Sequence, residues 1–162
     1  MPVPTAGAKP EAIKPVVVNR RARYDYFILE KVEAGIALRG TEVKSIRNGK
    51  VNLGDAHAQI ENGEAWLLQM HISPYEQGNR YNHDPLRRRK LLLHRRQILK
   101  LKQATQEKGL TLIPLSLYFK GSHLKVELGV AKGKRHHDRR EDVARRDAER
   151  EIQRARRGDR GD

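Results

Sequence analysis

The stretch that most restricts the fold is "DAHAQIENGEAWLLQMHI", residues 55–72. Ala56, Ala58 and Ile60 alternate with His57, Gln59 and Glu61, the period of a half-buried strand. Asn62-Gly63 then supplies the positive-φ pair of a type I′ turn. Trp66, Leu68, Met70 and Ile72 alternate on the return strand, with His57 and His71 facing outward. An antiparallel hairpin therefore stands near the middle of the chain.

The flanks extend the pattern. Tyr26–Leu38 reads as a strand whose Ala34-Gly35 marks a bulge or bend. Thr41 caps a short helix that stops at Asn48-Gly49. Residues 73–90 show no periodicity and read as a long basic loop. Leu91–Gly109 reads as a helix with Ile98, Leu101 and Ala104 on one face. Leu115, Leu117 and Phe119, then Leu124, Val126, Leu128 and Val130, form a last strand pair, with Pro114 at an edge or strand start. The sum is mainly β: about six antiparallel strands with flanking helices. A partly open barrel of the OB type satisfies that order, and a sandwich of the same strands does so too.

Around this barrel, 19–131, lie two segments expected to remain outside it. Residues 1–18 hold four of the seven prolines and read as a disordered leader. Residues 132–162 form a highly charged tail. The chain has 34 Lys and Arg against 20 Asp and Glu, a net charge of +14, which points to a polyanionic partner. The excess is +1 in the leader, +9 in the barrel and +4 in the tail, so the folded part carries most of it. With no cysteine, disulfides and thiolate metal sites are excluded. No apolar run approaches the ~20 residues of a membrane span, and the N-terminus lacks a secretory pattern. A cytoplasmic protein is expected.

No G-x-S-x-G, P-loop or G-x-G-x-x-G occurs, and no two histidines stand at i, i+4 on an expected helix. Neither catalysis nor a cofactor is implied. Nucleic-acid binding has better signals. In "NRRARYDYF", Asn19, Arg20, Arg21 and Arg23 alternate loosely with Tyr24 and Tyr26, combining phosphate contact with base stacking. A charged strand edge that discourages aggregation gives the same pattern. "DPLRRRK" puts Arg87, Arg88, Arg89 and Lys90 in the basic loop, where they suit a phosphate backbone or simply stay solvated. Lys44, Lys50 and Lys125 fall on exposed positions of the same domain. Glu33 and Glu42 run against the charge. On an RNA-binding face they orient an arginine or accept from a base or 2′-OH; an internal ion pair explains them equally.

The strings "NRRARYDYFI", "EAGIALRGTEVKS", "DPLRRRKLLLH", "LSLYF" and "KVELGVAKGKRHHDRR" resemble, in order and spacing, the small protein B family, the SsrA-binding proteins of bacterial trans-translation. The resemblance runs from Asn19 to Arg140. It implies an OB-type barrel that binds the tRNA-like domain of transfer-messenger RNA (tmRNA). It also implies delivery of alanyl-tmRNA, with elongation factor Tu and GTP, to stalled ribosomes. Under it, Asn19, Arg20 and Arg21 form an RNA-contacting N-terminal strand, Glu33 is the acidic residue needed for RNA binding, and Leu92 is an RNA-binding leucine. Lys125, and the pair Lys134 and Arg135, are basic contacts. His137, Asp138, Arg139 and Arg140 match the tail motif used at the decoding centre of the small subunit and its 16S rRNA, with Arg139 where Lys is common. A monomer with no membrane partner is expected. A barrel that binds rRNA constitutively, ribosomal or initiation-factor-like, is the competing reading, and a metal-dependent RNA nuclease a third.

In the tail, Glu141–Arg145 and Asp142–Arg146 favour a helix, and Ala144, Ala148, Ile152 and Ala155 make a thin stripe at helical spacing. Arg146–Arg150 and Arg150–Arg154 oppose it. A lone helix of this length is marginal in water, so the tail is expected to be disordered when free and helical on the ribosome.

Overall fold

A computed structural model describes residues 12–77, 82–134 and 136–158. In chain order the elements are β1 (Ile13–Val18), α1 (Arg20–Asp25), β2 (Tyr26–Ile36), α2 (Gly40–Arg47), β3 (Val51–Asn52), β4 (His57–Glu61), β5 (Glu64–Leu68), β6 (His71–Ile72), β7 (Arg89–Leu92), α3 (Arg95–Gln106), β8 (Thr111–Lys120), β9 (His123–Gly133) and α4 (His136–Gly158). Strands β8, β4, β5, β7, β2 and β9 follow one another as neighbours, and β9 pairs back onto β8. That closure makes a six-stranded antiparallel ring and leaves the sandwich aside. Leu67, Leu91, Leu117, Val126 and Leu128 fill it, and Leu101 of α3 and Ile46 of α2 join the same core.

The hairpin forms at Asn62 (φ 51°) and Gly63 (φ 74°), but its return strand faces the other way from the expectation. A two-residue turn pairs Ile60 with Ala65 and Ala58 with Leu67. Directly opposed residues share a face, so Ala65 and Leu67 are buried while Trp66 and Leu68 are only half-buried. Gln69, at φ 61°, then shifts the phase, and Met70 and Ile72 turn inward.

Three further expectations change. Ile13–Val18 are not part of a structureless leader: β1 pairs with Lys120–Ser116 on the edge of β8, where Pro15 is tolerated. Residues 1–11 lie outside the described residues. The "LLL" of 91–93 does not open a helix: Arg89–Leu92 pair with both β5 and β2, and α3 starts at Arg95 behind a His94/Gln97 capping box. Pro114 sits inside β8, at a register shift between the pairing of Leu112 to β4 and of Ser116 to β1. Asn19 fills that gap, donating from its backbone N–H to Leu115 O (2.8 Å) and from Nδ2 to Pro114 O (3.0 Å).

Candidate nucleic-acid interface

Register assembles the site. Tyr118 on β8 stands opposite Lys125 on β9, Lys125 opposite Gly35 on β2, and Gly35 opposite Leu92 on β7. Four strands thus contribute one residue each to a single row on the outer face of the ring. Their sequence neighbours Leu117, Val126, Ala34 and Leu91 are buried beneath. The row is bare at its centre. A Cβ on Gly35 would lie 3.2 Å from the Cβ of Leu92, so glycine here permits the close approach of β7 rather than the sharp bend expected from sequence. Leu92 is left 53% exposed. Glu33, two residues before Gly35, shares this face.

Between this face and α3 runs a groove of about 1010 Å³, lined among others by Glu33, Lys90, Leu92, Lys100 and Lys125. Lys90 pairs with Glu64 (3.0 Å) and Lys100 with Glu30 (2.6 Å). Lys125 has no ion pair among the described residues. The Tyr118 hydroxyl donates to Glu33, and Lys120 Nζ lies 3.5 Å from its other oxygen. The Tyr118 hydrogen bond first, with help from Lys120 and Lys125, outweighs partial burial and holds the Glu33 carboxyl below its ordinary value. Burial, then the neighbouring Glu33, pushes the Tyr118 hydroxyl up. The groove therefore presents a lysine, an exposed leucine and a carboxylate fixed by the neighbouring Tyr118.

A second basic cluster lies at the other end of β2, about 30 Å along the strand. Arg20, Arg21 and Arg23 are not on a strand: they form α1, which docks through Ala22 against Ile113, Leu115 and Ala131 and leaves all three arginines exposed. Lys134 donates to Arg23 O (2.8 Å) and lies 4.9 Å from the ring centroid of Phe27, itself 41% exposed. Asn19, grouped with these arginines by sequence, is committed to Pro114 O instead.

Glu33, Lys90, Leu92 and Lys125 are thus brought together, and Arg20, Arg21, Arg23 and Lys134 form a separate group. Lys44 belongs to neither; it lies on α2, 5.4 Å from the ring centroid of Tyr75. Arg140 is exposed on α4, where every described side chain faces solvent. His137, Asp138 and Arg139 open that helix, but their side chains, like the whole of Arg135, lie outside the described residues.

The run "RRRK" is not a phosphate-wrapping loop. Arg89 is fully buried and donates to Glu42 and to Met70 O (2.5 Å). Arg87 donates to the other Glu42 oxygen (2.5 Å), and Arg88 to Glu61 (2.9 Å) while lying 4.0 Å over Trp66. Glu42, fully buried, also accepts from the Arg39 N–H (2.9 Å). Burial opposes its ionised form, yet these donors overcome it and keep the carboxyl below its ordinary value. Glu42 is an internal ion-pair partner. Tyr118 escaped the sequence reading, although an outward tyrosine between buried Leu117 and Phe119 was the available signal.

A family model described as "SmpB protein" matches residues 16–158. The chain is 66% identical over 142 residues to the SsrA-binding protein of Carboxydothermus hydrogenoformans, covering 88% of this chain and 95% of that one. It is 64% identical over 142 residues to that of Geobacillus thermodenitrificans, covering 88% and 92%. Among solved structures, a chain reported under "tmRNA-SmpB: a journey to the center of the bacterial ribosome" superposes with a TM-score of 0.64 at 51% identity, over 80% of this chain and 94% of that one. The chain belongs to the SmpB family of SsrA-binding proteins.

Proposed function

We propose that this protein binds tmRNA and brings it to stalled ribosomes for trans-translation, acting as an RNA-binding protein and not as an enzyme. The observation that carries the reading is the groove holding Glu33, Leu92 and Lys125 together, in a chain whose relatives are named for binding SsrA. The groove takes the tRNA-like part of the RNA by shape, phosphate and 2′-OH contacts. Arg20, Arg21, Arg23 and Lys134, at the far end of β2, extend the contact along the phosphate backbone.

The tail is the second working part. Val143 and Ile152 remain exposed on α4, so among the described residues no buried apolar side chain holds that helix. Although α4 stands as a helix in the chain alone, we expect it to exchange with disorder in the free protein and to be held helical in the empty message channel of the small subunit, where His137, Asp138, Arg139 and Arg140 meet the 16S rRNA of the decoding centre. Elongation factor Tu with GTP enters through its hold on alanyl-tmRNA. The protein acts as a cytoplasmic monomer.

Deletion of residues 136–162, which spares β9 and Lys134, tests the division. Binding of tmRNA, measured by filter retention, should persist within a few-fold, while tagging of peptides on truncated messages should vanish. Loss of RNA binding in the deletion would overturn the division. Recovery of rRNA without tmRNA from the purified protein would favour a constitutive ribosomal role instead.

A further inference from the structure

We propose that the groove over Gly35 is a pocket for one unstacked guanine, whose Watson–Crick edge is read by the Glu33 carboxylate. The inference rests on the RNA-binding reading above and deepens it by naming the base.

The argument begins with Glu33 as a misfit. A carboxylate repels phosphate, so its presence in an RNA groove calls for a donor on the ligand. The other two acids of the groove, Glu30 and Glu64, are engaged by Lys100 and Lys90 at 2.6 and 3.0 Å. Glu33 is held differently. One oxygen accepts the Tyr118 hydroxyl, and Lys120 stays 3.5 Å from the other. Each oxygen can accept a second bond, and the longer Lys120 pair leaves the carboxylate at the surface with that capacity. Its carboxyl stays ionised across the physiological range, and an ionised carboxylate is an acceptor only.

Donor counting then separates the ligands. A 2′-OH offers a single donor. Adenine and cytosine each offer one exocyclic amine beside a ring-nitrogen acceptor, which repels the second oxygen. Uracil offers one ring N–H between two carbonyls. Guanine alone presents two adjacent donors, N1–H and N2–H, spaced to meet both oxygens of a carboxylate, as a guanidinium does. Single-stranded loops of RNA expose such edges to protein side chains.

The surroundings suit a flat ring with its backbone attached. Gly35 brings no side chain of its own to the middle of the row, and Leu92 leans over it. Leu92, 53% exposed on one side, offers an apolar contact to a ring face. Lys125, on the other side and without an ion pair among the described residues, reaches the phosphate of the same nucleotide. An apolar side chain on β7, a glycine on β2 and a cation on β9 thus follow one another, with the carboxylate one step along β2.

The test uses the full-length protein and transcripts of the tRNA-like part of tmRNA in which each unpaired guanine is replaced in turn by inosine, which lacks only the N2 amine. At one fixed salt concentration, one position should lower the affinity about tenfold. That loss should disappear in Glu33→Ala, whose melting temperature checks that it is folded. If no inosine position weakens binding, or if every loss persists in Glu33→Ala, the guanine pocket is wrong while the RNA-binding reading stands. A Glu33-dependent loss on 2′-deoxy substitution without one on inosine substitution overturns it equally, in favour of the sugar. If the unmodified transcript itself is not bound, the RNA-binding reading fails with it.

Discussion

Glu42 and Glu33 each head an ionic cluster, one sealed in the core by arginines and one at the surface. Around Glu42, both Arg89 and the carboxylate are fully buried, and every oxygen meets a donor from Arg39, Arg87 or Arg89. Around Glu33 the donors are a tyrosine and a lysine at the surface, and the face stays open to a groove. Burial decides which cluster is structure and which is recognition. A sealed ion pair is a constraint on the fold, because each charge left alone in the core is costly. An open one keeps acceptor capacity for a partner.

The largest effect that separates the two is on stability. Glu42→Ala leaves Arg89 unpaired in the core and should cost about 3–5 kcal/mol, lowering the melting temperature on the order of 10 °C. Arg89→Ala should behave alike, while the double replacement Glu42→Gln with Arg89→Met should recover part of the loss. Glu33→Ala should leave melting within a few degrees and weaken tmRNA binding about tenfold or more. Similar melting losses at both positions, read by calorimetry, would break the comparison.

Acid sharpens it next. The Glu42 carboxyl is held below its ordinary value of 4.5, so its contribution is fully present above that value and is lost as pH falls through the lower folded-state value. Melting temperature should therefore decline steeply below about pH 4.5. Glu42→Gln should start lower at pH 7 and show a flatter decline. Glu33 titrates in the same direction but faces solvent, so Glu33→Gln should retain most of the slope. Equal slopes for wild type and Glu42→Gln would assign the acid sensitivity elsewhere.

What the sequence disclosed follows the range of each interaction. Local chemistry was legible: the Asn62-Gly63 turn, the strands either side of it, the stop at Asn48-Gly49 and the alternation of Leu124 to Val130 depend on neighbours along the chain. The facing of Trp66 was misjudged because large apolar residues drew the inward side, whereas a two-residue turn fixes parity and sends Ala65 and Leu67 inside. Leu91 and Leu92 were read as helical because nothing local marks them as the strand that β5 and β2 require. Asn19 and Arg89 have polar side chains whose partners, Pro114 O and Glu42, are 95 and 47 residues away. The groove was legible as residues but not as a place: Glu33, Leu92 and Lys125 become neighbours only through the β7–β2–β9 register.

The smallest effect tests whether the arginine run belongs wholly to the structural side. Arg88 is its most solvent-facing arginine, joined to Glu61 at 2.9 Å and lying over Trp66 at 4.0 Å, with its side chain 49% exposed. An exposed pair of this kind contributes about 0–1 kcal/mol, and the contact with the ring adds about as much again. Arg88→Ala should therefore lower melting by only a few degrees. If the run is consumed within the fold, tmRNA affinity should stay within about twofold, with an unchanged salt slope. A salt slope reduced by about one unit would mean that Arg88 exchanges Glu61 for a phosphate when RNA arrives, and that an internal ion pair at the rim can double as a reserve of binding charge.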